Sequence, residues 1–197
     1  MTTISTSAKG MLTVHYNRKD FFNIPTEKYR KNKDIVDIIE HINAVWREIE
    51  SINITIHMLI HRIYNEEDYK NNKKEYFQME IHTLIGMLQA LGNSMYVNYF
   101  IIHKQLEKYK KIKKDEKLYN EYSKEIGKKI TTIRNRIIVK RDKQNFYQNQ
   151  MIAYTTDSFG MDFFLRVKDS DGKIVDLECN AIKDGYLLKE HLMKIFY

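Results

Sequence analysis

Three long stretches of the chain carry apolar residues at steps of three and four, the spacing that keeps side chains on one face of a helix. The first runs from about Asp34 to Asn65, through Ile35, Ile38, Ile39, Ile42, Val45, Trp46, Ile49, Ile52, Ile56, Leu59, Ile60 and Ile63. The second spans about Lys73 to Lys108, with a stripe of Phe77, Ile81, Leu84, Leu88, Leu91, Met95, Tyr99, Ile102 and Leu106. Ile85, Met87, Tyr96, Phe100 and Ile101 widen that stripe, so this helix is expected to pack on more than one side, centrally or at a subunit interface. A basic linker, Lys108–Lys114, leads to a third helix from about Glu116 to Phe146, striped by Tyr122, Ile126, Ile130, Ile133 and Ile137.

Outside these helices the pattern changes. Leu12, Val14 and Tyr16 alternate within an N-terminal arm over residues 1–30, as in one strand or merely extended chain. Phe163–Val167 and Ile174–Leu177 flank Asp169–Gly172, which predicts a β-hairpin about an Asp-Gly turn. Gly185 to Tyr197 suits a closing helix. The expected fold is mainly α: a bundle of long antiparallel helices over residues 31–150, with a short C-terminal β-hairpin and closing helix over 151–197 packed on it.

Composition supports this reading and narrows the chemistry. One proline and seven glycines in 197 residues leave few helix breakers. The single cysteine, Cys179, excludes an internal disulfide and thiolate-rich zinc sites, and it fits a reducing compartment. Met1–Ser7 lacks the regions of a signal peptide, and no apolar run of about 18 residues predicts a membrane span. A cytoplasmic protein without membrane attachment is expected. Of the net charge of +7, the segment Lys104–Lys143 holds +9, from 15 Lys and Arg against 6 Asp and Glu. A concentrated surplus suits a polyanion such as RNA or DNA, and equally a solvated lysine face.

The third helix carries the sharpest candidates. At roughly 100° per residue from Ile130, Arg134 falls at about 40° and Arg141 at about 20°, beside the apolar stripe. Asn135 and Arg136 fall on the outer side. Guanidinium groups at such a margin need a carboxylate, a phosphate or another partner.

Arg134-Asn135-Arg136-Ile137-Ile138-Val139-Lys140-Arg141-Asp142 resembles the signature helix of HEPN (higher eukaryote and prokaryote nucleotide-binding) proteins. That signature has an Arg, a polar neighbour, four to six further positions and then a His, often followed by Arg-Asp. Arg134 matches the Arg, Asn135 its neighbour, and Arg141 with Asp142 the trailing pair. Lys140 stands where the family has its His.

The resemblance covers about residues 33–150. It implies a homodimeric helical bundle that binds RNA or a nucleotide without a cofactor, in toxin–antitoxin or phage-defence systems. It casts Arg134 and Lys140 as the catalytic pair of a metal-independent endoribonuclease, with Asn135, Arg136, Arg141 and Asp142 contacting RNA. The substitution at 140 bears on the chemistry, because a histidine titrates near about 6.5 and a lysine near about 10.4. A protonated lysine holds phosphate but is a poor base, so binding without cutting is expected.

Two other readings remain. A non-catalytic interaction module would use the wide apolar second helix to seat a protein partner. A metal-binding bundle would use His57 and His61, four residues apart, with Glu80, His82 and His103. Yet His57 and His61 lie at about 100° and 140° from Ile56, off the core stripe. No Gly-rich phosphate loop or nucleophile elbow is present. Asp157–Gly160 reads as a turn, and Tyr147–Gln150 as a polar helix end able to line a nucleic-acid groove.

Overall fold

The computed structural model describes residues 3–6, 12–15, 22–65, 74–114, 116–135, 151–157, 160–168 and 174–197, with side chains at 22–59, 83–84, 86–114, 116–135 and 178–197. The long helices α1 (Lys33–Asn65) and α2 (Lys74–Lys113) form as their periodicity predicts. Ile35, Ile39, Ile42, Tyr99 and Ile102 are fully enclosed between them and their neighbours. Each isoleucine so buried contributes about 1.5–3 kcal/mol of transfer free energy.

The segment expected as a basic linker is the last turn of α2. That helix stops only at Lys114, whose φ of 55° places it in the left-handed region and whose N–H bonds the Lys110 carbonyl at 2.8 Å. Lysines suit this position because they complement the negative end of the helix dipole.

The third apolar stretch is divided. α3 (Glu116–Tyr122) passes into a π turn (Ser123–Gly127) and then into α4 (Lys128–Arg134). Tyr122, Ile126, Ile130 and Ile133 are all fully buried, so the stripe survives the wider turn. Ile137 lies outside the described residues.

α5 (Ala181–Phe196) begins earlier than the expected Gly185. Asn180 caps it, its Oδ1 accepting the Lys183 N–H at 2.8 Å. Gly185 sits inside the helix because α5 crosses α2 closely there: an added Cβ would run into the Tyr99 hydroxyl. α2 contacts α1, α3, α4 and α5, and its central position accounts for an apolar surface broader than one stripe. Met87, counted in that surface, is instead exposed.

The strands form two antiparallel sheets. β1 (Thr3–Thr6) pairs with β2 (Leu12–His15), where the sequence suggested at most one strand. β4 (Gly160–Lys168) pairs with β5 (Ile174–Cys179) across residues 169–173. β3 (Met151–Asp157) adds an unexpected third strand beside β4, with an irregularity between Met151 and Tyr154 that breaks the alternation by which strands are recognised.

The arm is docked from Phe22 onward. Buried Asn43 of α1 accepts the Ile24 N–H at 2.8 Å and donates to its carbonyl at 2.9 Å. Tyr29 donates to the Phe196 carbonyl and Lys28 to that of Tyr197, which clasps the end of α5. Among the described residues, no helix is long and apolar enough to cross a membrane.

Candidate functional site: two cations on one helix

α4 buries Ile130 and Ile133 against the core, which leaves Arg134 on the flank of the helix. Its half-buried guanidinium lies over the Phe100 ring of α2, with Cζ 4.5 Å from the ring centroid. Nη1 donates to Asn135 Oδ1 at 3.1 Å, and this contact holds Asn135 half-buried where the helical phase had placed it outward. Among the described residues, no carboxylate lies within ion-pair distance of Arg134.

Lys104, one turn along α2, brings its Nζ to 5.2 Å from the same ring and pairs with Glu107 at 2.7 Å. Phe100 thus carries two cations, whereas the sequence placed Phe100 only in the widened apolar surface of the second helix and Lys104 only at the start of the basic segment. Their i, i+4 spacing was the available signal, but it gives no hint of Arg134, 34 residues later. Arg136, Lys140, Arg141, Asp142 and Tyr147–Gln150 lie outside the described residues.

An imidazole lies one ring away. His103 is 6.1 Å from Phe100, centroid to centroid, and is 5% exposed. Its Nδ1 meets the Tyr122 hydroxyl at 2.9 Å and its Nε2 is 3.4 Å from Glu107. Burial lowers its pKa, against the opposing pull of Glu107, so the neutral ring is favoured. In that form Tyr122 donates to Nδ1 while Nε2–H faces the carboxylate. Gly127, the last residue of the π turn, leaves room for this packing, since a Cβ there would stand 3.3 Å from Nδ1 and 3.2 Å from the Tyr122 ring. Enclosed and engaged at both nitrogens, His103 does not stand in for the histidine missing at position 140.

Lys129, on another side of α4, meets a different partner. Asp184 of α5 is 5% exposed and accepts the Tyr96 hydroxyl at 2.5 Å. Lys129 Nζ lies 2.7 Å from Asp184 Oδ2 and 2.8 Å from Oδ1. Tyr99 donates to the Ala181 carbonyl at 2.7 Å, and burial drives both tyrosine pKa values well above 10.0. Cys179 is buried beside this network and its thiol is pushed up to about 12, mainly by burial. A thiol so protonated is a packing group rather than a nucleophile.

Among the described residues, no group of three or more His, Cys, Asp or Glu is placed to hold a metal. His57 is half-buried, and burial lowers its pKa. The side chains of His61, Glu80 and His82 lie outside the described residues, while His103 is committed to Tyr122 and Glu107.

No known protein family, curated protein or solved structure matches the chain.

Proposed function

We propose that the chain is a HEPN-like RNA- or nucleotide-binding protein whose contact surface centres on Arg134 and its neighbours on α2. The observation that carries this reading is the Arg134 guanidinium, stacked on Phe100 and without a carboxylate among the described residues. Stacking on an aromatic face orients the planar fork and leaves N–H edges for a bidentate contact to phosphate. Asn135 accepts from Arg134 through its Oδ1, which keeps its own amide N–H groups for RNA.

Lys140, Arg136, Arg141 and Asp142 extend the surface by resemblance to the family signature. The same resemblance supports a homodimer and a setting in bacterial toxin–antitoxin or phage-defence systems. With lysine in place of the signature histidine, the surface holds phosphate while lacking a base that works near neutral pH.

The test is fluorescence anisotropy with a labelled single-stranded RNA in EDTA, followed by a gel of the same mixture. Saturable binding, weakened about tenfold in Arg134→Ala, is the expected result. Wild-type affinity in that variant overturns the assignment. Intact RNA on the gel is expected, and cleavage products would restore the nuclease reading.

A further inference from the structure

The first turns of α1 run beside the last turns of α2, and an open groove of about 470 Å³ lies between them. One wall carries Asp34, Asp37 and His41; the other carries Gln105, Lys108 and Lys111. Ile38 and Ile112 add apolar surface to its lining. Each like-charged pair is spaced i, i+3, so two carboxylates share one helix face and two ammonium groups share the other. Like charges so placed repel and weaken a helix slightly, a cost that a counter-charged ligand relieves.

Among the described residues, none of the four forms an ion pair, so the walls do not neutralise one another. Lys111 feels the charge of Glu107 without pairing with it. Helix dipoles favour acids at the start of α1 and bases at the end of α2. They do not explain Gln105. This side chain is 6% exposed, yet its amide makes a single contact, Nε2 to His41 Nδ1 at 3.5 Å. At that length a hydrogen bond returns little, so the amide, which lines the groove, keeps donor and acceptor capacity for a further partner.

We propose that the groove binds a small zwitterion of dipeptide size. Lys108 and Lys111 hold its carboxylate, Asp34 and Asp37 hold its ammonium group, and the Gln105 amide bonds its peptide unit. Ile38 and Ile112 receive an apolar side chain. A polyanion would be repelled by the aspartates and a polycation by the lysines, whereas a zwitterion satisfies both walls. The volume lies within the usual range of ligand pockets, about 300–1,000 Å³. The inference is independent of the RNA reading, which concerns another part of α2.

Calorimetric titration of the full chain with alanyl-leucine, its N-acetyl form and its C-terminal amide tests the proposal. Saturable binding of the free dipeptide is expected, weakened about tenfold when either end is blocked. The paired variants Lys108→Gln/Lys111→Gln and Asp34→Asn/Asp37→Asn should each weaken it similarly, while Arg134→Ala leaves it unchanged. Absence of saturation at about 10 mM dipeptide overturns the proposal. So does equal affinity for the blocked forms, or tighter binding of adenosine monophosphate. The blocked ligands read the charge requirement on the unaltered protein, so the test stands even where a variant fails to fold.

Discussion

Lys129 and Arg134 are cations five residues apart on one short helix, and their surroundings assign them different work. The Lys129 side chain is partly exposed and bonded to both oxygens of the buried Asp184 carboxylate. Breaking such a pair leaves a buried charge alone, so its value is structural and its partner is fixed. Arg134 rests on a ring instead. An aromatic face offers a modest attraction and no counter-charge, so the guanidinium retains its demand for an anion. A cation beside a core marks a candidate ligand site when its neighbours position it without neutralising it.

The largest expected effect comes from removing the anion of the neutralised pair. Asp184→Ala should lower unfolding free energy by about 3 kcal/mol, because Lys129 and the Tyr96 hydroxyl lose their common acceptor. Urea denaturation measures it. A loss below about 1 kcal/mol would show that the pair behaves like an exposed surface ion pair.

Gly185→Ala probes the same junction through shape. Its Cβ must displace the Tyr99 hydroxyl, which donates to Ala181, and a cost of about 2 kcal/mol is expected. A thermal unfolding midpoint equal to the wild type would show that α5 can move away from α2 at no expense.

Arg134→Ala should reverse the pattern. Its stability cost should stay at about 1 kcal/mol, the worth of a half-buried cation–π contact, while RNA affinity falls about tenfold. Arg134→Lys should recover only part of that affinity, since an ammonium group neither stacks as a plane nor forks onto phosphate. Full recovery would mean that charge alone matters. Anisotropy at two salt concentrations separates these outcomes.

Glu50 supplies the complementary case, a carboxylate without an ion-paired cation among the described residues. Its Oε1 accepts the Phe22 N–H at 3.1 Å and Trp46 Nε1 at 3.0 Å, while its Oε2 is buried without a partner. Burial holds its pKa above the ordinary 4.5. Over the window from 4.5 up to that raised value, the folded chain keeps a proton that the unfolded chain has released. Stability therefore falls as pH rises through it. Glu50→Gln should flatten that slope and add about 1 kcal/mol at neutral pH. Asn53 Oδ1, three residues further along the same helix, is also a buried acceptor without a hydrogen-bond partner among the described residues. Urea midpoints across the pH range check both claims, and an unchanged slope would remove Glu50 from the account.

The long helices were legible because their information is local. α1 begins at Lys33 and runs to Asn65, and an unbroken three-and-four spacing of isoleucines needs no knowledge of the partner to be read as a buried face. The earlier start of α5 was less legible. Gly185 has the look of a helix boundary, and only the approach of Tyr99 shows why a glycine belongs inside the helix. The π turn escaped for a related reason: a Tyr122–Ile126–Ile130 spacing of four fits a continuous α-helix as well as one with a wider turn.

The sequence by itself determined the mainly helical class, the buried faces and the margin on which Arg134 lies, because each follows from spacing along one element. Tertiary structure alone decided that Asp184 neutralises Lys129 from 55 residues away and that Phe100 supports Arg134 from 34 residues before it. Charge and aromatic partners act over a few ångströms of space, and periodicity within one helix carries no record of what another helix brings within that distance.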